Sequence, residues 1–349
     1  MKNILIYGAN GYSGRLILEE ALKHDLKPIL AGRNADAIEG LSKRHDLEHR
    51  VFSLDSVSEV SQQLKDVAVV IHCAGPFSAT AENMMRACID SGTHYTDITG
   101  EISVFELGWT FNQDAEKAGV VVCPGVGFDV IPTDCVAVKL KNKMPDAIEL
   151  SLGFDSRSGF SPGTAKTSVE GLANGGAVRL DGEITRVKLA HKTRNIDFGG
   201  GEKLSMTIPW GDVSTAYRST GIPNISVYIP SSPKQVSRLK KLNWVRPLLG
   251  LGFVQNFMKN KIEKSVKGPN AQKRSELVTY VWGEVRNAEG QTESLRIKVA
   301  NGYDVTATGA IAVARYLLTE TTDKGYKTPA MLMGDVLVDG LPGSEYLAI

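Results

Sequence analysis

The sequence predicts an α/β protein: a doubly wound parallel sheet followed by a second, mixed α+β domain. Three observations carry that expectation. Short apolar, β-rich runs recur through about the first 130 residues with helix-period segments between them. A glycine triplet, Gly8, Gly11 and Gly14, stands where the first run gives way to the first helical segment. From about Ala147 onward the pattern changes to strand signals joined by turns.

The N-terminal runs are Ile4–Tyr7, Pro28–Ala31, Arg50–Leu54, Val67–Cys73, Tyr95–Ile98 and Val120–Cys123. In Gly14–Lys23, Leu16, Ile17, Leu18, Ala21 and Leu22 fall at helical spacing before a basic end. Asn83–Asp90 and Asn112–Ala118 read the same way. Continuous β-rich runs between helices imply a Rossmann-type sheet covered on both faces, with its ligand crevice at the carboxyl ends of the strands. A helix follows Asp134 to about Asn142, and Ala147–Asp155 reads as a strand. Gly163–Arg179 has helical spacing, interrupted by Gly171, Gly175 and Gly176. Lys203–Ile208 and Ile225–Ile229 are strand signals, and Glu276–Arg286 with Glu293–Ala300 forms a hairpin across Asn287–Thr292. Val305–Leu318 is helical again. The expected division is 1–134 for the Rossmann domain, 135–302 for a substrate or dimerisation domain, and 303–349 packing back on the first.

Composition narrows the class. A chain of 349 residues has room for about two domains. Its 40 basic and 39 acidic residues leave a charge of +1, too little field to draw in nucleic acid. Cys73, Cys88, Cys123 and Cys135 form no C-x-x-C, which speaks against structural zinc and a disulfide framework and for a reducing compartment. Met1–Asn3 runs straight into a short strand-like run, unlike a signal peptide, and no window of 18 apolar residues occurs. A cytoplasmic protein is expected.

The motif Gly8-Ala9-Asn10-Gly11-Tyr12-Ser13-Gly14 ends a strand and opens a helix, as a dinucleotide loop does. The first glycine allows the tight turn, the second the approach of a pyrophosphate, the third close packing of helix on strand. The cofactor-binding set is therefore Gly8, Asn10, Gly11, Tyr12, Ser13 and Gly14. At the tip of the second strand, where NAD-binding domains carry an acid, stand Gly32 and Arg33. A guanidinium suits a 2′-phosphate, so NADP is preferred over NAD. Asp55, at the third tip, can accept from an adenine amino group, and Ala74, Gly75 and Pro76, at the fourth, let backbone pass the cofactor.

Proton-handling candidates are Tyr95, Asp97, Glu101, Asp129, Asp134 and Lys166. Asp129 and Lys166 lead as the catalytic pair, with Tyr95 and Glu101 next; Asp129 has a rival role as cap of a helix starting near Pro132. No Tyr-x-x-x-Lys spacing and no metal-ligand set occurs. Residues 234–267 hold nine basic residues and one acid, Glu263, around the apolar stretch Trp244–Val254. That segment reads either as a peripheral membrane contact or as a solvated basic face with a core or homodimer contact.

Together these residues resemble the saccharopine dehydrogenase-like oxidoreductases, in particular the short branch that includes trans-acting enoyl reductases. The resemblance rests on Gly8–Gly14, Ala31-Gly32-Arg33, Cys73–Phe77, His94-Tyr95-x-Asp97-x-x-Gly100-Glu101 and Gly127-Phe128-Asp129-x-x-Pro132-x-Asp134. It extends through Ser161-Pro162-Gly163-Thr164-x-x-x-Ser168, Gly302-Tyr303-x-x-Thr306 and Thr328–Gly334, while 231–274 matches nothing. It implies an NADP-type Rossmann domain, a second domain closing over the cofactor, and hydride chemistry. The expected substrate is enoyl and lipid-like. An imine, or saccharopine-type, dehydrogenase is the alternative, with Arg157, Lys166 and Arg179 as the available carboxylate clamps. A non-catalytic NADP sensor or membrane-surface protein is the reading from another class.

Overall fold

The apolar runs of the N-terminal third are buried on both faces, which is why they read as continuous rather than alternating stretches. They become β1 (Asn3–Tyr7), β2 (Ile29–Gly32), β4 (Val67–His72), β5 (His94–Asp97) and β6 (Val121–Cys123), with the short, more exposed β3 (His49–Val51) at the edge. The computed structural model describes residues 3–156, 171, 173–249, 251–252, 254–256 and 271–348. It divides into two compact units: Met1–Ile131 with Gly302–Leu337, and Pro132–Asn301 with Val338–Ile349.

In the first unit the described strands pair in the order β15-β6-β5-β4-β1-β2-β3, where β15 is Gly325–Tyr326. Every pairing is parallel. The order reverses direction at β1, so the crevice at the carboxyl ends of β1 and β4 is the topological switch point. The crossovers are α1 (Tyr12–Lys23), α2 (Ala35–His45), α3 (Val57–Gln63), α4 (Phe77–Ser91), α5 (Ile102–Thr110) and α6 (Asn112–Ala118). Helices α2 and α3 are absent from the sequence reading. Their apolar faces are thin, with Val60 the buried residue of α3. Their signal is instead the cap: the Asn34 side chain accepts from Ala37 N at 3.0 Å, and Ser56 Oγ from Glu59 N at 3.4 Å. The helix Gly302–Thr319 returns to this unit, with the Thr308 hydroxyl 3.4 Å from Glu20 on α1.

The helix α7 (Ile131–Lys143) leads into the second unit. There β7 (Glu149–Ser156), β8 (Gly176–Leu180), β9 (Glu183–Val187), β10 (Thr193–Asp197), β11 (Glu202–Ile208), β12 (Asn224–Pro230), β13 (Val278–Arg286), β14 (Thr292–Ala300) and β16 (Glu345–Leu347) build one mixed sheet. The β13–β14 hairpin forms in the expected place. The helix expected over Gly163–Arg179 ends differently. Gly175 takes φ +84°, which no helix accommodates, and the residues beyond it pair as β8 against β9. Residues 157–170 lie outside the described residues, and with them Lys166 and the Ser161–Ser168 stretch. The sequence expectation carried 303–349 whole to the first domain, whereas Val338–Ile349 belongs to the second unit because β16 pairs with β14.

This second sheet curls. Strands β10 and β13 are four places apart in the order β10-β11-β12-β7-β13, about 19 Å in a flat sheet. Yet Arg194 on β10 donates to Glu284 on β13 at 3.0 Å, with its guanidinium 4.9 Å from the Trp282 ring centre. The concave side is filled by Ile196, Phe198, Tyr228 and Trp282.

Candidate functional site

The glycine loop is held by backbone contacts that leave no room for side chains. Gly8 has φ +82°, its N–H donates to Ala31 O at 2.7 Å, and a Cβ there would lie 2.9 Å from Ala74 N. A Cβ on Gly14 would lie 2.4 Å from Gly8 O, so the third glycine is what lets α1 sit against β1. Gly11 is the N-cap of α1 and supplies no side chain to its end, and the first turn holds no acid. A helix N-terminus left in this state presents N–H groups and positive dipole to an anion. Asn10 lies beside Gly32, where a Cβ would come 3.3 Å from its side-chain oxygen, and Arg15 Nε donates to Asn10 O at 3.1 Å. Tyr12 meets Tyr303, from the helix Gly302–Thr319, edge to face at 4.9 Å; Ser13 lies in the first turn of α1.

At the next tip, Arg33 is exposed and has no hydrogen bond or ion pair among the described residues. Its charge and that of Asp55 are both felt by the buried Tyr7 hydroxyl, which donates to Phe52 O at 3.0 Å. Burial pushes Tyr7 up to about 12, with Arg33 pulling it down and Asp55 up. Arg33 follows β2 and Asp55 lies beyond β3, a cation and an anion that both act on the Tyr7 hydroxyl.

The fourth tip is fastened from below. Thr80 Oγ1 donates to Ala74 O at 2.8 Å, so the His72 Nε2–H, 3.0 Å away, donates to the Thr80 oxygen. His72 is fully buried among Tyr7, Phe77 and Tyr95, and burial pushes it down to about 3, keeping it neutral. A cis peptide joins Gly75 to Pro76. Glu101 reaches back to this tip. Its two carboxylate oxygens accept from Phe77 N at 3.0 Å and Ser78 N at 2.9 Å, capping α4. That corrects its standing as a reserve proton donor, because both oxygens are already occupied.

Tyr95 needs the same correction. It points to the same face as Asp97, as the strand alternation requires, but it is fully buried in the core. Its hydroxyl donates to Asp97 Oδ2 at 2.6 Å, and burial raises it well above the usual tyrosine range. Asp97 Oδ1 in turn accepts from Thr99 N at 3.0 Å and Gly125 N at 2.8 Å. Burial pushes Asp97 up to about 6 against those donors. The Tyr95–Asp97 pair thus fastens the loop after β6. In the second unit, the buried Asp134 accepts from Ser219 Oγ and is similarly structural.

Asp129 stands apart. It sits on the loop after β6, partly exposed, and its carboxyl packs on Gly100, where a Cβ would lie 3.1 Å from Oδ2. Among the described residues it has no hydrogen-bond partner, so it does not cap α7. Burial alone pushes its carboxyl up to about 7. The next residue, Val130, takes φ +152°, a strained conformation for a β-branched side chain. The loop is pinned on the other side by Thr306, whose Oγ1 accepts from Phe128 N at 3.0 Å and donates to Gly302 O at 2.7 Å. The first turn of one helix, through Tyr303 and Thr306, thus touches both the glycine loop and the Asp129 loop. The sequence showed Gly302-Tyr303-x-x-Thr306 as a motif but offered no role for it.

Gly8 against Ala74, Glu101 against Phe77, and Gly100 against Asp129 join the tips of β1, β4, β5 and β6 in one row. A family model for the saccharopine dehydrogenase NADP-binding domain matches residues 4–123, which is this row up to the start of the Asp129 loop. Over these residues the chain is similar to the saccharopine dehydrogenase-like family. Its relatives include a human saccharopine dehydrogenase-like oxidoreductase, 26% identical over 212 residues, covering 53% of this chain and 49% of that one. A trans-acting enoyl reductase of Mycobacterium bovis is 30% identical over 142 residues, 38% of this chain and 34% of that one. The chain thus spans half or less of the length of these two relatives. A saccharopine dehydrogenase (L-Glu forming) structure from Saccharomyces cerevisiae covers the whole of both chains with a TM-score of 0.68 at 13% identity, which shows the shared two-domain fold. The matching model describes an NADP-binding domain, and the side-chain-free end of α1 with its crowded glycines fits a nicotinamide dinucleotide. Among the described residues no cluster suited to a metal ion occurs, and no helix is long and apolar enough to cross a membrane.

Proposed function

We propose that the chain is an NADP-dependent oxidoreductase that reduces an enoyl, lipid-like substrate. The observation that carries this reading is Asp129: an unpartnered, desolvated carboxyl, half protonated near neutral pH, in the row of strand tips that begins with a dinucleotide loop. In this reading Gly8, Asn10, Gly11, Tyr12, Ser13 and Gly14 hold the diphosphate. Arg33 pairs with the 2′-phosphate, Asp55 accepts from the adenine, and Ala74, Gly75 and Pro76 form the wall past which the nicotinamide lies. The cofactor, when bound, supplies the hydride. Asp129 supplies the proton that completes the addition across the double bond and regains it from water. The strained loop, held by Thr306 on one side and Asp97 on the other, keeps that carboxyl in place.

An apolar substrate is preferred over an imine carrying carboxylates because Arg179, the clamp candidate among the described residues, is engaged elsewhere. Arg179 donates to Val213 O at 2.8 Å and to Gly182 O, and its guanidinium lies 4.2 Å from the Tyr217 ring centre. Arg157 and Lys166 lie outside the described residues. The test follows NADPH oxidation with a panel of 2-enoyl thioesters and of imines formed from amino acids and keto acids. Turnover of the thioesters, strongly reduced in Asp129→Asn, is the expected result. Turnover of the imines alone would replace the substrate class, and NADPH consumption undiminished in Asp129→Asn would remove Asp129 from the chemistry.

A further inference from the structure

We infer that the second unit docks on an anionic lipid surface through the helix Pro233–Leu242 and the turn that carries Trp244. The inference does not depend on the proposed reaction. The helix is well founded: Ser232 and Gln235 form a capping box, Pro233 opens the first turn, and Val236 is buried in a cluster with Ala190 and Met206. Its outward side is a different surface. Lys234, Arg238, Lys240 and Lys241 are exposed, and none of them forms an ion pair among the described residues. No aspartate or glutamate occurs anywhere from 233 to 256.

Trp244 follows directly and is 90% exposed. This is not a slack loop. The Asn243 side chain accepts from Leu189 N at 2.9 Å and donates to Leu189 O at 3.2 Å, while Trp244 N donates to Lys241 O at 3.2 Å. The turn is fastened to the connection between β9 and β10, and the indole is held out into solvent beside Lys240 and Lys241. Val245 and Leu251 are exposed as well. Between this helix and the sheet runs an open groove of about 410 Å³, with Leu204 and Val236 as its apolar side and Lys240, Lys241 and Trp244 among its lining.

An indole held next to a row of ammonium groups suits one boundary above others, the bilayer interface, where tryptophan sits at headgroup depth and lysines meet anionic lipid. A second copy of the chain fits less well. A two-fold contact through this face would set Lys234, Arg238, Lys240 and Lys241 against themselves with no carboxylate of the segment to pair with. The net charge of +1 gives the whole chain no general attraction to polyanions, so the attraction is local to this face.

The experiment is co-sedimentation of the full chain with vesicles of phosphatidylcholine, with or without about 30 mol % phosphatidylserine. Binding to the phosphatidylserine vesicles, about tenfold stronger than to phosphatidylcholine alone and released at about 0.5 M salt, is expected. Trp244→Ser should weaken it about fivefold or more, and Lys240→Glu with Lys241→Glu should abolish it, both with unchanged melting temperature and NADP affinity. Absence of binding to the anionic vesicles at low salt overturns the inference, as does equal binding by the Trp244→Ser protein. Self-association in the absence of lipid that Trp244→Ser abolishes would assign the face to a second copy instead.

Discussion

Along the second sheet, charges answer one another: Arg286 meets Glu149 and Lys298 meets Glu345 directly across strand pairs, while Arg194 meets Glu284 and Arg296 meets Asp197 across the curl. At the carboxyl ends of the first unit's parallel strands, Arg33 and Asp129 have no ion pair among the described residues, and His72 Nδ1, which is buried, has no hydrogen-bond partner there. The paired charges shape a sheet and contribute little each, because exposed ion pairs gain modest energy against solvent and side-chain entropy. A buried carboxyl without a partner, as at Asp129, costs stability, and such groups concentrate at functional sites, whereas the exposed Arg33 stays hydrated at little cost. The difference supports the proposal that the site lies at the first unit's strand tips.

The largest effect expected from breaking the first region is on cofactor binding. Gly11→Val places a branched side chain where even a Cβ would lie 3.1 Å from Gly8 O. Calorimetric titration should find no NADP binding in a protein whose circular dichroism is unchanged; retained affinity would refute the glycine-loop assignment.

Asp129→Asn should lower turnover by about a hundredfold or more, the scale of a lost general acid. In the native protein, reduction should be fastest with Asp129 protonated and fall as pH rises through about 7, and the variant should lose that limb. Stability should show the same group. Its folded pKa of about 7 lies above the unfolded value of about 3.9, so the native state holds the extra proton between them. Native stability should therefore decline as pH rises from about 4 to about 7, whereas Asp129→Asn should lack that slope and gain on the order of 2 kcal/mol at pH 8. Urea melts at pH 5 and pH 8 measure it, and parallel slopes for the two proteins would contradict it.

A smaller and more selective loss is expected of Arg33→Ala. NADP should weaken by about 1.5–3 kcal/mol, the scale of a charged hydrogen bond, with NAD nearly unaffected. Equal losses for both cofactors would show that Arg33 does not read the 2′-phosphate. Thr306→Val removes the acceptor for Phe128 N and should cost turnover several-fold through the Asp129 loop, on the order of 1 kcal/mol, with Thr306→Ser restoring it. The counterpart in the second region is Arg194→Met. Loss of its pair with Glu284 and its stacking on Trp282 should cost about 1 kcal/mol of stability and leave NADP affinity unchanged. A change in cofactor affinity there would dissolve the contrast between the two regions.

Much of the first unit was legible because its signals are local. A buried parallel strand must be continuously apolar, and a glycine loop needs its three glycines at positions set by chain geometry alone. Helices α2 and α3 escaped because few of their residues are buried, leaving only the cap residues Asn34 and Ser56 as markers. The β8–β9 hairpin escaped because glycines amid helical spacing read as a weak helix; the positive φ at Gly175, the pairing of β8 with β9 across Asp181-Gly182 and its pairing with the distant β12 decide otherwise.

The sequence by itself determined the doubly wound sheet, the place of the dinucleotide loop and the set of acids from which a proton could come. It put Asp129 ahead of Tyr95 and Glu101 by its place on the loop after the sixth strand, but residue type and spacing do not express what each side chain touches. Tertiary structure ranks them by what each side chain touches. Tyr95 is spent on Asp97, Asp97 on Thr99 and Gly125, and Glu101 on the end of α4. Asp129 alone of the four is desolvated without a partner, since hydrogen bonding and burial are properties of neighbours brought from elsewhere in the chain and not of the residue itself.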